Sequence, residues 1–544
     1  MVLMVALAAL TLVQDSPPQA VVEGRVANSA GAPLANATVA LLGNNRTPAG
    51  APPSYRATTD ASGAFTIEAV EPNTYRLFVQ RTGYLEFVYQ EPDGKVAVSI
   101  AGDEHKKVAI KMTAPSFVSG RVTTEDGEPF PGARVNVFRL APFGMTKRLT
   151  ALSPVSSGPG GAFTIGSLVA GKYYLAAANP PSLTDSNQRE VRGSQPDVRY
   201  VTTYYPSAID PSIATLVDVP AEAELHNLDI RLRKARVFHI AGKIVQPAGT
   251  PAATITLIRP GFSDAADPTG ANSRVFANEG AFQVNALLPG AYAFHAWAGA
   301  SRQWQGHQTV VISDRDIDSL ALILSPALEI PLSVRIEDAE GQQFQTIAGA
   351  LGRFTLTASD GVNLNAMADA KPDGTWMFHS IGAGRYRMGL GGPDGTYVKS
   401  IRYGDRDITR GELDTTSGGG ALVMTLSTKA ADVAGVVTDS EGKPLAGVTV
   451  TLWVPGPVPP GTLDQSWTTR TDASGAFRFT RLGPGEYRVA SWESVEPGLP
   501  FLHEFHSRFD AEAATVKLDE GSHEKVQAPL ISRQKVAAVA AMIQ

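Results

Sequence analysis

Five times along this chain an aromatic residue stands ten positions before a tyrosine and two positions after a glycine. The pairs are Phe65/Tyr75, Phe163/Tyr173, Phe282/Tyr292, Trp376/Tyr386 and Phe477/Tyr487, with Gly63, Gly161, Gly280, Gly374 and Gly475 ahead of them. Fixed spacing at this recurrence means that one supersecondary unit has been duplicated, and its turns must not be read as active sites. In the fifth copy Phe477 and Phe479 alternate with Arg478 and Thr480, the period of a strand with one buried face. Gly483-Pro484-Gly485 supplies turn dihedrals that most residues resist. Tyr487 and Val489 then alternate with Arg488 and Ala490 on the returning strand. A slip of one residue would turn all of these side chains outward, so the spacing predicts a β-hairpin facing a core.

A second signature precedes the first. Gly24-Arg25-Val26, Gly120-Arg121-Val122, Gly242-Lys243-Ile244 and Gly435-Val436-Val437 stand 40 to 43 residues before their aromatics. In the fourth copy Leu332-Ser333-Val334 occupies that place. Turns such as Gly442-Lys443-Pro444-Leu445 lead into further strands, and alternating runs such as Leu320-Ala321-Leu322-Ile323-Leu324 close the units. About seven short strands per unit is the count of a small antiparallel sandwich. The expected division is 21–114, 115–235, 236–327, a divergent 328–429 and 430–532, with a C-terminal tail at 533–544. The fold class expected is all-β, a tandem array of about five immunoglobulin-like antiparallel β-sandwiches.

Charged residues are 18% of the chain, below the roughly 25% typical of soluble proteins, while glycine and proline are plentiful. A net charge of -6 gives no electrostatic footprint for nucleic acid and no polybasic segment for anionic lipid. There are no cysteines, which excludes disulfides, thiolate catalysis and zinc ribbons. Residues 1–20 open with an apolar run, Met1 to Val13, whose length fits a signal peptide and is too short to span a bilayer. No other stretch is long enough for a span, and Lys535 to Ile543 reads as a short helical tail. Export to the periplasm, the medium or the cell surface is therefore expected.

The order Gly-x-Val, Gly-x-Pro-Leu, Thr-Asp-x-x-Gly-x-Phe and Leu-x-Pro-Gly-x-Tyr closely resembles the carboxypeptidase regulatory-like domain. The fifth copy matches best, through Gly435, Gly442 to Val448, Thr471-Asp472-Ala473-Ser474-Gly475-Ala476-Phe477 and Leu482 to Tyr487. The resemblance implies a transthyretin-like (prealbumin-type) β-sandwich, found behind metallocarboxypeptidases and in many bacterial surface proteins. It does not import the enzyme. None of the histidines has the His-x-x-Glu partner of a zinc peptidase, and no stretch remains for a catalytic domain.

Other candidate chemistry is thin. Gly166-Ser167-Leu168-Val169-Ala170-Gly171-Lys172 imitates a phosphate loop, but Tyr173 stands where a magnesium-binding hydroxyl belongs. Asp314, Asp316 and Asp318 alternate and could share a strand face for calcium, although no oxygen-rich loop accompanies them. His503 and His506, three apart on an expected strand, would point to opposite faces and share no metal. No Gly-x-Ser-x-Gly elbow is present. The expectation is a protein that is not an enzyme, with no cofactor and no metal.

Aromatics out of phase with the core are the remaining lead. If Tyr292 and Phe294 face inward, His295 and Trp297 face outward, with Trp304 following; Tyr174 and Trp492 are outward by the same parity. Exposed rings above a sheet can stack on the apolar face of a sugar, and rings that instead cover a neighbouring domain would look the same in sequence. The expectation is a binding or structural protein of the cell envelope, with polysaccharide or another envelope protein as partner. The alternative is a regulatory or folding-assistant subunit for a separate peptidase.

Overall fold

The computed structural model describes residues 19–44, 51–89, 97–143, 146–152, 154–179, 197–259, 261, 274–275, 280–337, 343–345, 353–359, 365–389, 395–458, 465–496 and 498–543. Most of the signal-peptide expectation thus lies outside the described residues. The fold is all-β, a succession of β-sandwiches, as the alternation predicts. Among the described residues no helix is long and apolar enough to cross a membrane.

The first and fifth repeats set the plan. In the first, Ala20–Asn28 lies between Ala64–Val70 and His105–Met112 in a three-stranded sheet. Facing it, Thr38–Gly43 pairs with Ser54–Thr58 on one side and Asn73–Gln80 on the other. In the fifth, Ala431–Val436 lies between Ala476–Leu482 and His523–Gln527, and Thr449–Trp453 lies between Ser466–Arg470 and Gly485–Trp492. The central strand runs antiparallel to the aromatic strand but parallel to the closing one. The expected antiparallel sandwich therefore contains a parallel pair. It arises because the chain crosses to the other sheet before adding its last strand.

The repeated aromatic and tyrosine strands do not form a hairpin. Ala64–Val70 and Asn73–Gln80 belong to opposite sheets, as do Ala281–Leu287 and Gly290–Ala298, and Ala476–Leu482 and Gly485–Trp492. The connection is a sandwich corner, with both strands turning their alternate apolar residues into one core. A bulge makes the corner. Four residues after each aromatic, Ala69, Ser167, Ala286, Ser380 and Arg481 have φ of 58°, 60°, 60°, 58° and 65°. At this point the register slips by one residue against the central strand, between Ala20 and Val22 in the first repeat and between Ala431 and Val433 in the fifth. The tyrosine locks the corner from inside. The hydroxyls of Tyr75, Tyr292, Tyr386 and Tyr487 donate to the carbonyls of Glu71, Leu288, Gly382 and Gly483, each four residues earlier, at 2.7 to 2.9 Å.

The glycine of the second signature sits directly opposite the aromatic: Gly24 against Phe65, Gly242 against Phe282, Gly435 against Phe477. A Cβ on Gly435 would stand 2.0 Å from the Val526 carbonyl oxygen and 2.6 Å from the Phe477 ring. In the fourth repeat Leu332 faces Trp376.

The Thr-Asp motif is structural as well. Buried Thr471 donates to the Leu445 carbonyl at 2.6 Å and accepts from the Val448 amide at 2.9 Å, and Thr59 does the same for Leu34 and Ala37. Asp472 accepts from the hydroxyl and amide of Ser474 and from the Ala476 amide, and Asp60 repeats this with Ser62 and Ala64.

The chain forms two compact units. One holds the described residues up to Ser116 with Gly166–Ala170 and Pro220–Ala223, and the other holds the rest. The second unit also contains an extra core in the fifth repeat, where Trp453 and Trp492 pack with Leu502, Phe505, Phe509 and Val536. The expected tail is the helix Arg533–Ile543, and it helps to cover that core.

Candidate functional site

In the third repeat Gly290–Ala298 and Trp304–Ile312 pair antiparallel, with His295 opposite His307 and Trp297 opposite Gln305. Cross-strand partners share a face, so these four side chains stand together on the side of the sheet away from Tyr292 and Phe294. This face is not open. The corner of the fourth repeat covers it, and His295 is 3% and Gln305 6% exposed. The Gln305 amide donates to the Arg302 carbonyl at 3.2 Å and to the Ser380 carbonyl of the corner. Ser380 in turn donates its hydroxyl to the Ser301 carbonyl. His295 Nε2 lies 3.4 Å from Gln305 Oε1. Gly382 admits this approach, since a Cβ there would lie 2.8 Å from the same oxygen.

Where the corner and the sheet part, a cleft of about 180 Å³ remains. Its walls are His295, Gln305, His307, Ile323, Ser325 and Arg385, with the backbone of Gly382–Gly384. Among the described residues no carboxylate lines it. Ile323 is 61% exposed and gives one apolar wall. Arg385 Nε stands 3.9 Å from the Asp414 carboxylate.

The outward aromatics separate on inspection. His295 joins the cleft but is buried, because outward parity here means facing the next repeat. Trp297 is half-buried, with His295 stacked at 5.2 Å and the Arg302 guanidinium 4.8 Å above its ring. Trp304 has the opposite parity to Gln305 and packs against the third repeat's own core. Trp492 is fully buried, its indole donating to the Thr451 hydroxyl at 2.7 Å. It is outward from one core and at the centre of another. Tyr174 is half-buried in a notch of about 20 Å³, lined also by Arg139, Lys172 and Glu496, and burial pushes its phenol up. Gln305, His307 and Arg385 were not singled out from sequence. The signal for Gln305 and His307 was the strand parity that puts them in phase with His295, whereas nothing local marks Arg385.

The other candidates resolve into structure. His503 and His506 lie on the helical turn His503–His506, not on a strand, so residues three apart share a face. Their rings meet edge to face at 5.4 Å, and His506 is buried against Trp453. Asp316 and Asp318 both turn to His239, at 3.3 and 2.7 Å. Among the described residues no group of three or more His, Asp or Glu is placed to hold a metal. Gly166 to Lys172 joins the strands Ala162–Leu168 and Gly171–Ala178, with no helix after the glycines.

The family model for the carboxypeptidase regulatory-like domain matches residues 21–113 and 432–493, within the first and fifth repeats. No curated protein matches the chain in sequence. Among solved structures the chain is similar to GBS52, the minor pilin of the Gram-positive pathogen Streptococcus agalactiae, at 12% identity. That likeness covers 40% of this chain and 96% of the pilin, with a TM-score of 0.23. The shaft pilin SpaA of Lactobacillus rhamnosus GG is similar at 12% identity over 40% of this chain and 98% of its own, with a TM-score of 0.18. The Bacillus anthracis TIE protein is similar at 9% identity over 96% of this chain and 75% of its own, with a TM-score of 0.16. At these identities and TM-scores the likeness says nothing of what this chain does.

Proposed function

We propose that this chain, which carries carboxypeptidase regulatory-like domains in its first and fifth repeats, is a non-enzymatic binding and structural protein of the cell envelope. It is exported, and carbohydrate is its first ligand class. The observation that carries the non-enzymatic reading is that the recurring motifs are consumed by the fold. The aromatic covers the glycine, the tyrosine locks the corner, and the threonine and aspartate tie the turns. The cleft between the third and fourth repeats is not consumed in this way, and it combines an apolar wall with a few converging polar groups, the usual make-up of a small-ligand site.

The test is binding of the full chain to an immobilised glycan panel. Retention of at least one glycan class, weakened by Arg385→Gln or His307→Gln, is the expected outcome. Absence of binding to every glycan overturns the carbohydrate assignment. Turnover of a peptide substrate by the purified chain overturns the non-enzymatic one. The name of the matched domain favours a second reading, as a regulatory partner of a separate peptidase, which predicts a peptidase that co-purifies stoichiometrically with the chain.

A further inference from the structure

We propose that the cleft between the third and fourth repeats seats one carboxylate-bearing sugar of an acidic polysaccharide. This rests on the carbohydrate reading above and narrows it. The first argument is charge. Among the described residues, Arg385 is the only one of permanent charge on the cleft wall, and no Asp or Glu lines it. The Asp414 carboxylate beside Arg385 lies off the wall, so an anion in the cleft meets the guanidinium directly, whereas a cation finds no counter-charge on the wall. The Arg385 contact to Asp414 is 3.9 Å from Nε, too long for a hydrogen bond. The guanidinium fork thus keeps donors for a bidentate pair with a second carboxylate.

The second argument is shape. A cleft of about 180 Å³ is on the scale of one sugar ring. Ile323, 61% exposed, offers apolar surface to the ring's C–H face. Ser325 and His307 stand with Arg385 on the same cleft and can meet hydroxyls or the carboxylate. At the base, the buried His295 and Gln305 are held against each other and against the Ser380 carbonyl, so the polar floor is fixed before any ligand arrives. A neutral sugar would desolvate the guanidinium without pairing it, which sets the direction of selectivity.

The experiment is calorimetric titration of the full chain with three probes: oligogalacturonate, a neutral cello-oligosaccharide of equal length, and poly-glutamate. Oligogalacturonate is expected to bind, and the other two are expected to bind at least tenfold more weakly. Arg385→Gln should weaken the acidic glycan about tenfold or more, the worth of a charge-assisted hydrogen bond, and Arg385→Lys should recover part of the loss. Arg385 is an exposed side chain outside the packed core, and its ion-pair contact among the described residues is long, so these variants are expected to keep the fold. Neutral and acidic glycans binding alike, or acidic binding indifferent to Arg385→Gln, would overturn the cleft assignment and leave the wider carbohydrate reading standing. Equal binding of poly-glutamate would overturn the saccharide part. Failure of every glycan would overturn both readings.

Discussion

At the scale of single residues the repeat is explained by steric exclusion. Gly435 is glycine because the parallel strand brings the Val526 carbonyl to 2.0 Å from where a Cβ would be and the Phe477 ring lies over the same spot. Gly435→Ala is therefore expected to cost about 3 kcal/mol, the upper range for overpacking a filled core. Thermal unfolding followed by tryptophan emission checks this, because Trp453, Trp467 and Trp492 all report on the fifth repeat. An unchanged transition would mean that the strands can part freely. Tyr487→Phe keeps the ring and removes only the hydroxyl that reaches the Gly483 carbonyl at 2.9 Å, so about 1 kcal/mol is expected from the same measurement. These residues were legible in the sequence because sterics at one position leave one residue type. Leu332 in the fourth repeat shows the limit: with no glycine there, only Gly374, Trp376 and Tyr386 mark the unit.

At the scale of elements, parity along a strand was readable and the sheet to which a strand belongs was not. A hairpin and a corner bury the same alternate residues, so the spacing of Phe477 and Tyr487 could not distinguish them. The bulge at Arg481 could have, yet a positive φ carried by Ala, Ser or Arg leaves no residue-type signature. Trp492 departs from its expected exposure for a related reason: its strand has a core on each side, and the second core is built from helical turns late in the chain. Removing Arg533–Gln544 should uncover that core, red-shift tryptophan emission and lower the melting temperature of the fifth repeat. An unshifted spectrum would show that the helix does not shield Trp492. The turns before the aromatics make a prediction about pH. Asp60, Asp373 and Asp472 accept from the Ser62, Thr375 and Ser474 hydroxyls and from nearby amides, which hold their carboxyls below the usual carboxylate range. A group depressed in the folded state stabilises above its unfolded value, near 3.9, and loses that contribution as the pH falls through the folded value. Melting temperature should therefore decline as the pH drops below about 4, and less steeply in a triple Asp→Ala variant. Parallel declines would remove these aspartates as the cause.

At the scale of the whole molecule, the corner that defines the repeat is also the part by which successive repeats of the larger unit meet. Leu288 in the corner of the third repeat packs with Val201 and Val237. The fourth repeat's corner engages Gln305 and Ser301, and the fifth repeat's Gly483 lies against the ring of Tyr397. A locked corner is suited to this, since a rigid tip transmits position where a floppy loop would not. The sequence contained the corner and not its second use, because docking depends on surfaces from separate copies that share no local pattern. Tyr397 is the sharpest place to test it. It is buried, its hydroxyl donates to the Glu520 carboxylate, and burial together with that carboxylate pushes its phenol well up. Lys399, two residues on at the strand's bulge, pairs with Glu337 and lies 3.9 Å from Glu520. Tyr397→Ala removes the ring from the Gly483 contact and leaves Glu520 without its donor, so the coupling between the fourth and fifth repeats should fall by roughly 2 kcal/mol, within the range measured for packed neighbours. Calorimetry of the intact chain is then expected to separate a fifth-repeat transition that melts with the fourth in the parent protein. If the two transitions are already separate in the parent, or if they fall together by the same amount in the variant, the corner is a local structure and does not couple the repeats.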